Sequence, residues 1–457
     1  MTARPSQVSP AERAEPVPRL ATDAGGAHAR ARQAGAVVIA AGLVAASALW
    51  ARHVNVHLGE AAPLLGSLRP RFSPLTLPAL AVAAMAVCTA PALACRLAWR
   101  QLMPATWLMA FGWALALAGA DGSAGIVGPL RTPDEYLPDL AHVHGLTAYI
   151  SGFTAHVHDP SAGQFLWSVH VAGGPPGTLL LFALLARADV AGPVWASLLV
   201  IAVGAAAVPA GLLTARQLAG EETARRAAPF LAFAPSAVWV ATSADALFLG
   251  FSAWGIALLA VAADRRSAAT RADLLALLGG LLLGAALYCS YGIAPLGFVA
   301  VAVVLSRRRV RPLLLGATGV AAVAAGFAAL GFWWWSGLTA TRIRYTEGIA
   351  SSRPYGYFLL ADLAAFALAV GPAALAGLAR LPRGSRLWWP VGATLLAIAA
   401  ADLSGLSKGE VERIWLPFTT WLLLTTPALH LRKTHRGWLT AQIALGLLLQ
   451  TSLVSNW

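Results

Sequence analysis

The sequence predicts an all-α, polytopic membrane protein of about 13 transmembrane helices, with a helical loop lying against the membrane on the outer side. Three observations predict it. The 457-residue chain is 58% hydrophobic and 12% charged, with a mean hydropathy of +0.67, whereas a soluble domain carries roughly twice that charge. Apolar stretches long enough to cross a bilayer recur along it, separated by short polar turns. Lysine and arginine concentrate in alternate turns, as membrane insertion requires.

Residues 1–33 are rich in Ala, Arg and Pro and have no apolar h-region. They predict a disordered cytoplasmic tail rather than a cleaved signal peptide. The membrane domain is 34–457, with spans at 34–51, 75–97, 104–120, 191–214, 227–244, 246–263, 273–290, 292–306, 313–335, 356–379, 388–403, 413–430 and 437–455. Residues 175–188 are apolar but too short, and they open with Pro175-Pro176-Gly177. They are expected to form a half-helix on the outer side. With the N-terminus cytoplasmic, this arrangement leaves 23 of the 33 Lys and Arg inside. Counting 175–188 as a full span would break that bias.

The net charge of +13 is read as positive-inside bias and attraction to anionic lipid in the plasma membrane. No basic patch interleaved with aromatics points to nucleic acid. Cys88, Cys95 and Cys289 fall in apolar segments and match neither a disulfide framework nor a metal motif. Trp333, Trp334 and Trp335 fall where an aromatic belt is expected.

The polar loop 121–174 interrupts the apolar pattern, and ionisable groups in such a protein usually mark a working site. It holds Asp134-Glu135 between Pro133 and Pro138, and five of the ten histidines: His142, His144, His156, His158 and His170. From Leu140, apolar residues at Val143, Leu146, Ile150, Phe153 and Val157 have the spacing of an amphipathic surface helix. The two carboxylates would then sit at its N-terminus. Two roles fit them: a base deprotonating an acceptor hydroxyl, or an N-cap with a first-turn dipole partner. His142-Val-His144 and His156-Val-His158-Asp159 contain metal-ligating types. Alternate residues of a helix face apart, however, which favours a polar helix face. No motif demands a cofactor; the candidate ligands for a divalent cation such as Mg or Mn are Asp134, Glu135 and His142. His170 stands just before Gly173-Gly174-Pro175-Pro176-Gly177.

Two further outer loops carry charge. Arg342 and Arg344, with Tyr345 beside them, oppose the positive-inside trend, so either a lipid phosphate pairs them or they snorkel at the interface. Lys408, Glu410, Glu412 and Arg413 form a mixed cluster directly before an apolar span, where unpaired charge is costly. Asp245, Asp362 and Asp402 lie near outer span ends; Asp245 either faces the site or is a solvated terminus.

In this order, the elements resemble the GT-C superfamily of membrane glycosyltransferases, and the branch holding protein O-mannosyltransferases and lipid A aminoarabinose transferases in particular. The resemblance runs from about 121 to 430. It rests on Asp134-Glu135, on His170 through Gly177 as a His-Pro-Pro-Gly-like element, on Arg216 to Arg226, on Pro235 through Asp245, and on Glu410-Val-Glu412-Arg413-Ile-Trp415-Leu-Pro417-Phe418. Composition and the late run also resemble actinobacterial integral membrane proteins of this class. The acidic loop here follows the third span rather than the first, and the His-Pro-Pro-Gly-like element is stretched. The resemblance implies a polyprenyl-phosphate-linked sugar as donor, a mannose- or arabinose-type sugar among the candidates, and inversion at the anomeric carbon. The acceptor would be an envelope glycan, lipid or protein. Asp134 would be the base, and Glu135 its neighbour or a cation ligand. Arg342, Arg344, Lys408 and Arg413 would meet the donor phosphate, and His170, Asp245, Tyr345, Glu410 and Glu412 would line the site. A lipid or glycan transporter is the main rival; it would show inverted repeats and charges near the midplane. A non-enzymatic scaffold for envelope assembly is the second rival.

Overall fold

The structure is a computed structural model that describes residues 23–158, 165–188, 190, 192–429 and 432–455. Asp159 of the second histidine pair and residues 1–22 of the expected tail lie outside the described residues, as do the side chains of Arg432 and Lys433. Almost everything described is helical. The lone sheet among the described residues pairs Ser67–Leu68 antiparallel with Leu453–Val454.

Eight helices are long and apolar enough to cross a membrane: Ala27–Ala51, Pro74–Arg96, Trp99–Gly119, Pro193–Ala219, Asp245–Ala262, Ala269–Leu287, Arg311–Ala329 and Tyr355–Leu378. Five further traverses are shorter, broken or more polar. They comprise Glu221–Ala232 followed by Ala237–Val240, Tyr291–Leu305, Trp388–Leu403, Val411–Ile414 with Leu416–Leu423, and Arg432–Ser452. Among the described residues the chain thus traverses the bundle thirteen times, and it is a multi-pass membrane protein. The first helix begins at Asp23, so residues 23–33 of the expected tail are helical. Gly177–Arg187 is an 11-residue helix, about 16 Å long at 1.5 Å per residue and too short to cross.

Hydrogen bonds sort the connections into two ends. At one end, Leu65 N donates to Glu412 Oε1, Arg353 Nη2 donates to the His57 carbonyl, Lys408 N donates to Tyr345 Oη, and Arg71 pairs with Asp121. At the other, Arg225 donates to the carbonyls of Ala94 and Leu97, Arg307 to that of Gln217, Arg309 to that of Asp264 and Arg32 to that of Ala379. The loops 52–74, 121–174 and 404–413 therefore share one end, as the charge pattern predicted, and the arginine-rich turns share the opposite end.

The Tyr355–Leu378 helix breaks at Gly371 (φ 79°) ahead of Pro372. A proline ring and a positive φ together free backbone groups inside the bundle. The fully buried Gln442 side chain takes them up: its Oε1 accepts from Ala373 N at 3.0 Å and its Nε2 donates to the Val370 carbonyl at 2.6 Å. A Cβ at Gly371 would run into this carboxamide. Gln442→Leu leaves two buried backbone groups unpaired and is expected to cost about 2–4 kcal/mol, read as a lower unfolding temperature in detergent. A wild-type melting curve would show that the break is satisfied another way.

Candidate functional site

The loop 121–174 is not one amphipathic helix. It folds into short turns, Tyr136–Asp139, Leu140–His142, Leu146–Gly152 and Phe153–His156, interrupted at Val143 (φ −95°, ψ 76°) and extended Gly145. Gly145, without a side chain, weakens helix propagation at that point. The expected apolar face is still buried through Ile150, Phe153 and Val157. An aromatic cluster fixes the loop: Phe153 stacks on Trp167 at 5.7 Å and meets Phe332 edge-on at 5.8 Å, while Tyr149 Oη donates to the Pro176 carbonyl at 2.8 Å. Two histidines belong to this packing. His142 lies 3.9 Å from the Phe165 ring, and His156 Nδ1 lies 2.9 Å from the Phe165 carbonyl oxygen. His158 pairs with Glu347 at 3.4 Å.

Asp134 and Glu135 part company. Asp134 is exposed, whereas Glu135 is 1% exposed. Glu135 occupies the N-cap position of a four-residue helix but makes no side-chain cap bond there. Its Oε1 lies 2.8 Å from His170 Nδ1 and 3.6 Å from Arg413 Nη1. Arg413 Nη1 also reaches Asp245 Oδ2 at 3.1 Å, and its Nη2 reaches Glu410 Oε2 at 3.5 Å and His170 Nε2 at 3.1 Å. A guanidinium has only donors, so His170 Nε2 must accept, leaving the ring proton on Nδ1 facing Glu135. The His170 backbone N–H bonds the Asp134 carbonyl at 3.0 Å, tying the two halves of the loop together. Asp245 is oriented by Ser243 Oγ, which donates to it at 2.7 Å.

A second tier holds the first. Arg353, 6% exposed, donates to the Lys408 carbonyl at 2.6 Å and reaches Glu410 Oε1 at 3.4 Å. Lys408 Nζ donates to the carbonyls of Ala350 and Arg353, and no carboxylate pairs with it among the described residues. Gly409 N donates to Asp362 Oδ1 at 3.0 Å. The segment after Trp333 is a helix, Trp334–Glu347, and it rests on the loop: Thr341 Oγ1 donates to the Ala172 carbonyl and Arg344 Nη1 to that of Val157. Arg342 is exposed on this helix. The structure therefore brings Glu135, His170, Asp245, Glu410 and Arg413 into direct contact. Tyr345 and Lys408 join through Arg353, Glu412 lies beside them against Leu65, and Asp134, Arg342 and Arg344 stand at the periphery.

The candidate metal set does not assemble, because Asp134 and Glu135 diverge and His142 packs on Phe165. Among the described residues, no group of three or more His, Cys, Asp or Glu is placed to hold a metal ion. Sequence reasoning passed over Asp139, which accepts from Ser168 N at 2.8 Å, and also Ser243 and Arg353. Arg353 alone left a signal, an arginine on the outer side just before Pro354.

Burial pushes the Glu135 carboxyl up, but His170 and Arg413 outweigh it and hold the group below the usual 4.5. Glu135 thus lends stability above pH 4.5 that is lost on acidification through its lower native value. Unfolding temperature in detergent is expected to fall on acidification. Glu135→Gln should flatten this acid limb and lower stability at neutral pH by about 2–3 kcal/mol. An acid limb unchanged by the substitution would contradict this assignment.

No family model matches the chain, and no curated protein does. Among solved structures, the chain is similar to the crystal structure of ArnT from Cupriavidus metallidurans in the apo state, with a TM-score of 0.44 and 17% identity. The match covers 71% of this chain and 61% of that one, so the chain spans about three fifths of that protein's length.

Proposed function

We propose that the chain transfers a sugar from a polyprenyl-phosphate-linked donor to a hydroxyl of a cell-envelope acceptor, on the extracytoplasmic side, with inversion. One observation carries this reading: a buried acid–base cluster around Arg413 sits where the outer loops meet, with an exposed carboxylate, Asp134, at its rim.

The acceptor oxygen attacks the anomeric carbon. The carbon–oxygen bond to phosphate breaks, and polyprenyl phosphate leaves with the electron pair. The acceptor proton passes to Asp134, which is exposed and so reachable from solvent. Glu135 is the wrong group for that step, since it is buried against two cationic or donor partners. Its part is to orient His170 and Arg413. Arg342 is exposed at the periphery, and Lys408 Nζ donates to the carbonyls of Ala350 and Arg353. These two are suited to the leaving phosphate, with Arg344 beside them. Lines of charge through the bundle, which a transporter needs, are not what the reading relies on; the ionisable groups gather at the two ends.

Membranes or proteoliposomes carrying the protein, given labelled polyprenyl-phosphate sugars and envelope acceptors, are expected to show transfer. Asp134→Asn should reduce it about 10²- to 10⁴-fold, the usual worth of a general base. Arg342→Gln should reduce it about tenfold, through one charge-assisted contact. Normal transfer by both folded variants would overturn the site.

Sidedness has its own test. A cysteine at exposed Arg131, in a protein without its own three, should react with impermeant reagents in intact cells. One at exposed Glu222 should react only after permeabilisation. The reverse pattern would invert the arrangement.

A further inference from the structure

The end of the bundle opposite Arg413 holds a cavity of about 670 Å³. Arg216, Arg266 and Arg307 line it together with Gly220, Glu221 and Asp264. Its volume lies within the roughly 300–1,000 Å³ of ordinary ligand pockets. Three guanidiniums face two carboxylates, and both carboxylates are already engaged. Glu221 Oε2 takes Arg216 at 2.9 Å while its Oε1 takes Arg225 at 2.7 Å. Asp264 Oδ1 accepts from the Arg266 backbone N–H at 3.1 Å.

Arg307 shows the surplus of positive charge most clearly. It donates to the Gln217 carbonyl, which neutralises nothing. Its Nε is buried and has no hydrogen-bond partner among the described residues. Burial pulls its pKa below the usual arginine range; Asp264 opposes this, and Arg386 and Arg266 add to it. Arg216 is fixed in advance, since its guanidinium lies 4.5 Å from the Trp99 ring centroid. The 12-residue helix Glu221–Ala232 begins at the cavity with no side-chain cap. Its first N–H groups and its dipole add positive potential there, while its first-turn Glu221 and Glu222 are paired with Arg216, Arg225 and Arg226. Gly220 (φ 87°) has open space where a Cβ would stand, so backbone is exposed to an incoming group.

Planar guanidiniums beside an uncapped helix start match the oxygens of phosphate. We propose that this cavity binds a phosphate-bearing anion, at a site separate from the acidic cluster at the other end. The phosphate has two available sources, the headgroup of an anionic lipid in the adjoining leaflet or a soluble phosphate compound.

The test uses the full chain purified in detergent. The probes are inorganic pyrophosphate and short-chain phosphatidylglycerol, with short-chain phosphatidylcholine as the uncharged control. Binding is read by calorimetric titration and by the ligand-dependent rise in unfolding temperature. At least one anionic probe is expected to bind, more weakly at high salt. Arg266→Gln, an exposed position, should weaken it about tenfold, the worth of one charge-assisted contact. Arg307→Gln should weaken it further. A response to pyrophosphate supports the site and a soluble source; a response to phosphatidylglycerol supports the site and a lipid source. Binding of neither anion would overturn the proposal. So would binding that both variants retain while unfolding at the wild-type temperature, or equal binding of phosphatidylcholine.

Discussion

Arg413 is 4% exposed, and its guanidinium is shared among Glu135, Asp245, Glu410 and His170, which come from four separate stretches of chain. A cation taken out of water costs several kcal/mol unless its donors are met, and removing one partner of such a set typically costs about 3–5 kcal/mol. That cost works as a geometric constraint. Arg413 is satisfied only when the loop 121–174, the start of the Asp245–Ala262 helix and the 404–413 turn are all in place. The turn is itself strained, with Glu410 at φ 64° and Gly409 at φ 85°. Arg353 and Asp362 hold it from behind. This end of the bundle is therefore one interlocked polar layer rather than a set of independent loops.

The membrane explains why such a layer forms at an end of the bundle and not in its middle. Within the hydrocarbon, backbone groups must be satisfied inside the chain. Gln442 meets that demand where the Tyr355–Leu378 helix breaks. Carboxylates and guanidiniums gather instead at the ends, where short helices and turns replace long ones. Burial varies among the traverses irrespective of length: the short Leu416–Leu423 segment is buried throughout and the long Asp245–Ala262 helix mostly so, while the long Ala27–Ala51 helix is almost wholly exposed.

Much of this was legible in the sequence. Hydropathy located every traverse, and the distribution of arginines kept Gly177–Arg187 out of the count. Both signals are local, so they survive without knowledge of packing. Asp134 and Glu135 were not separable in that way. They are neighbours, and which one turns inward depends on His170 and on Arg413, the latter 243 positions beyond that histidine. The histidines misled for the opposite reason. Their clustering looked like chemistry, but His142 and His156 are ring partners for Phe165, and that aromatic pattern has no fixed spacing. His170, marked only by the glycines and prolines after it, is the one that meets Glu135.

On the proposed reading, the split between the adjacent carboxylates divides their roles. A base must reach an acceptor that arrives from solvent or from the membrane surface, and it must release its proton afterwards. A carboxylate that is 1% exposed and held ionised by its neighbours does neither readily. It can, however, fix the imidazole of His170 and the guanidinium of Arg413, much as an outer ligand fixes a catalytic histidine. The peptide between Asp134 and Glu135 joins an exposed carboxylate to a buried one. The His170 N–H bond to the Asp134 carbonyl, at 3.0 Å, pins that peptide. The backbone of the exposed acid is thereby tied to the same cluster that the bundle must satisfy in order to fold.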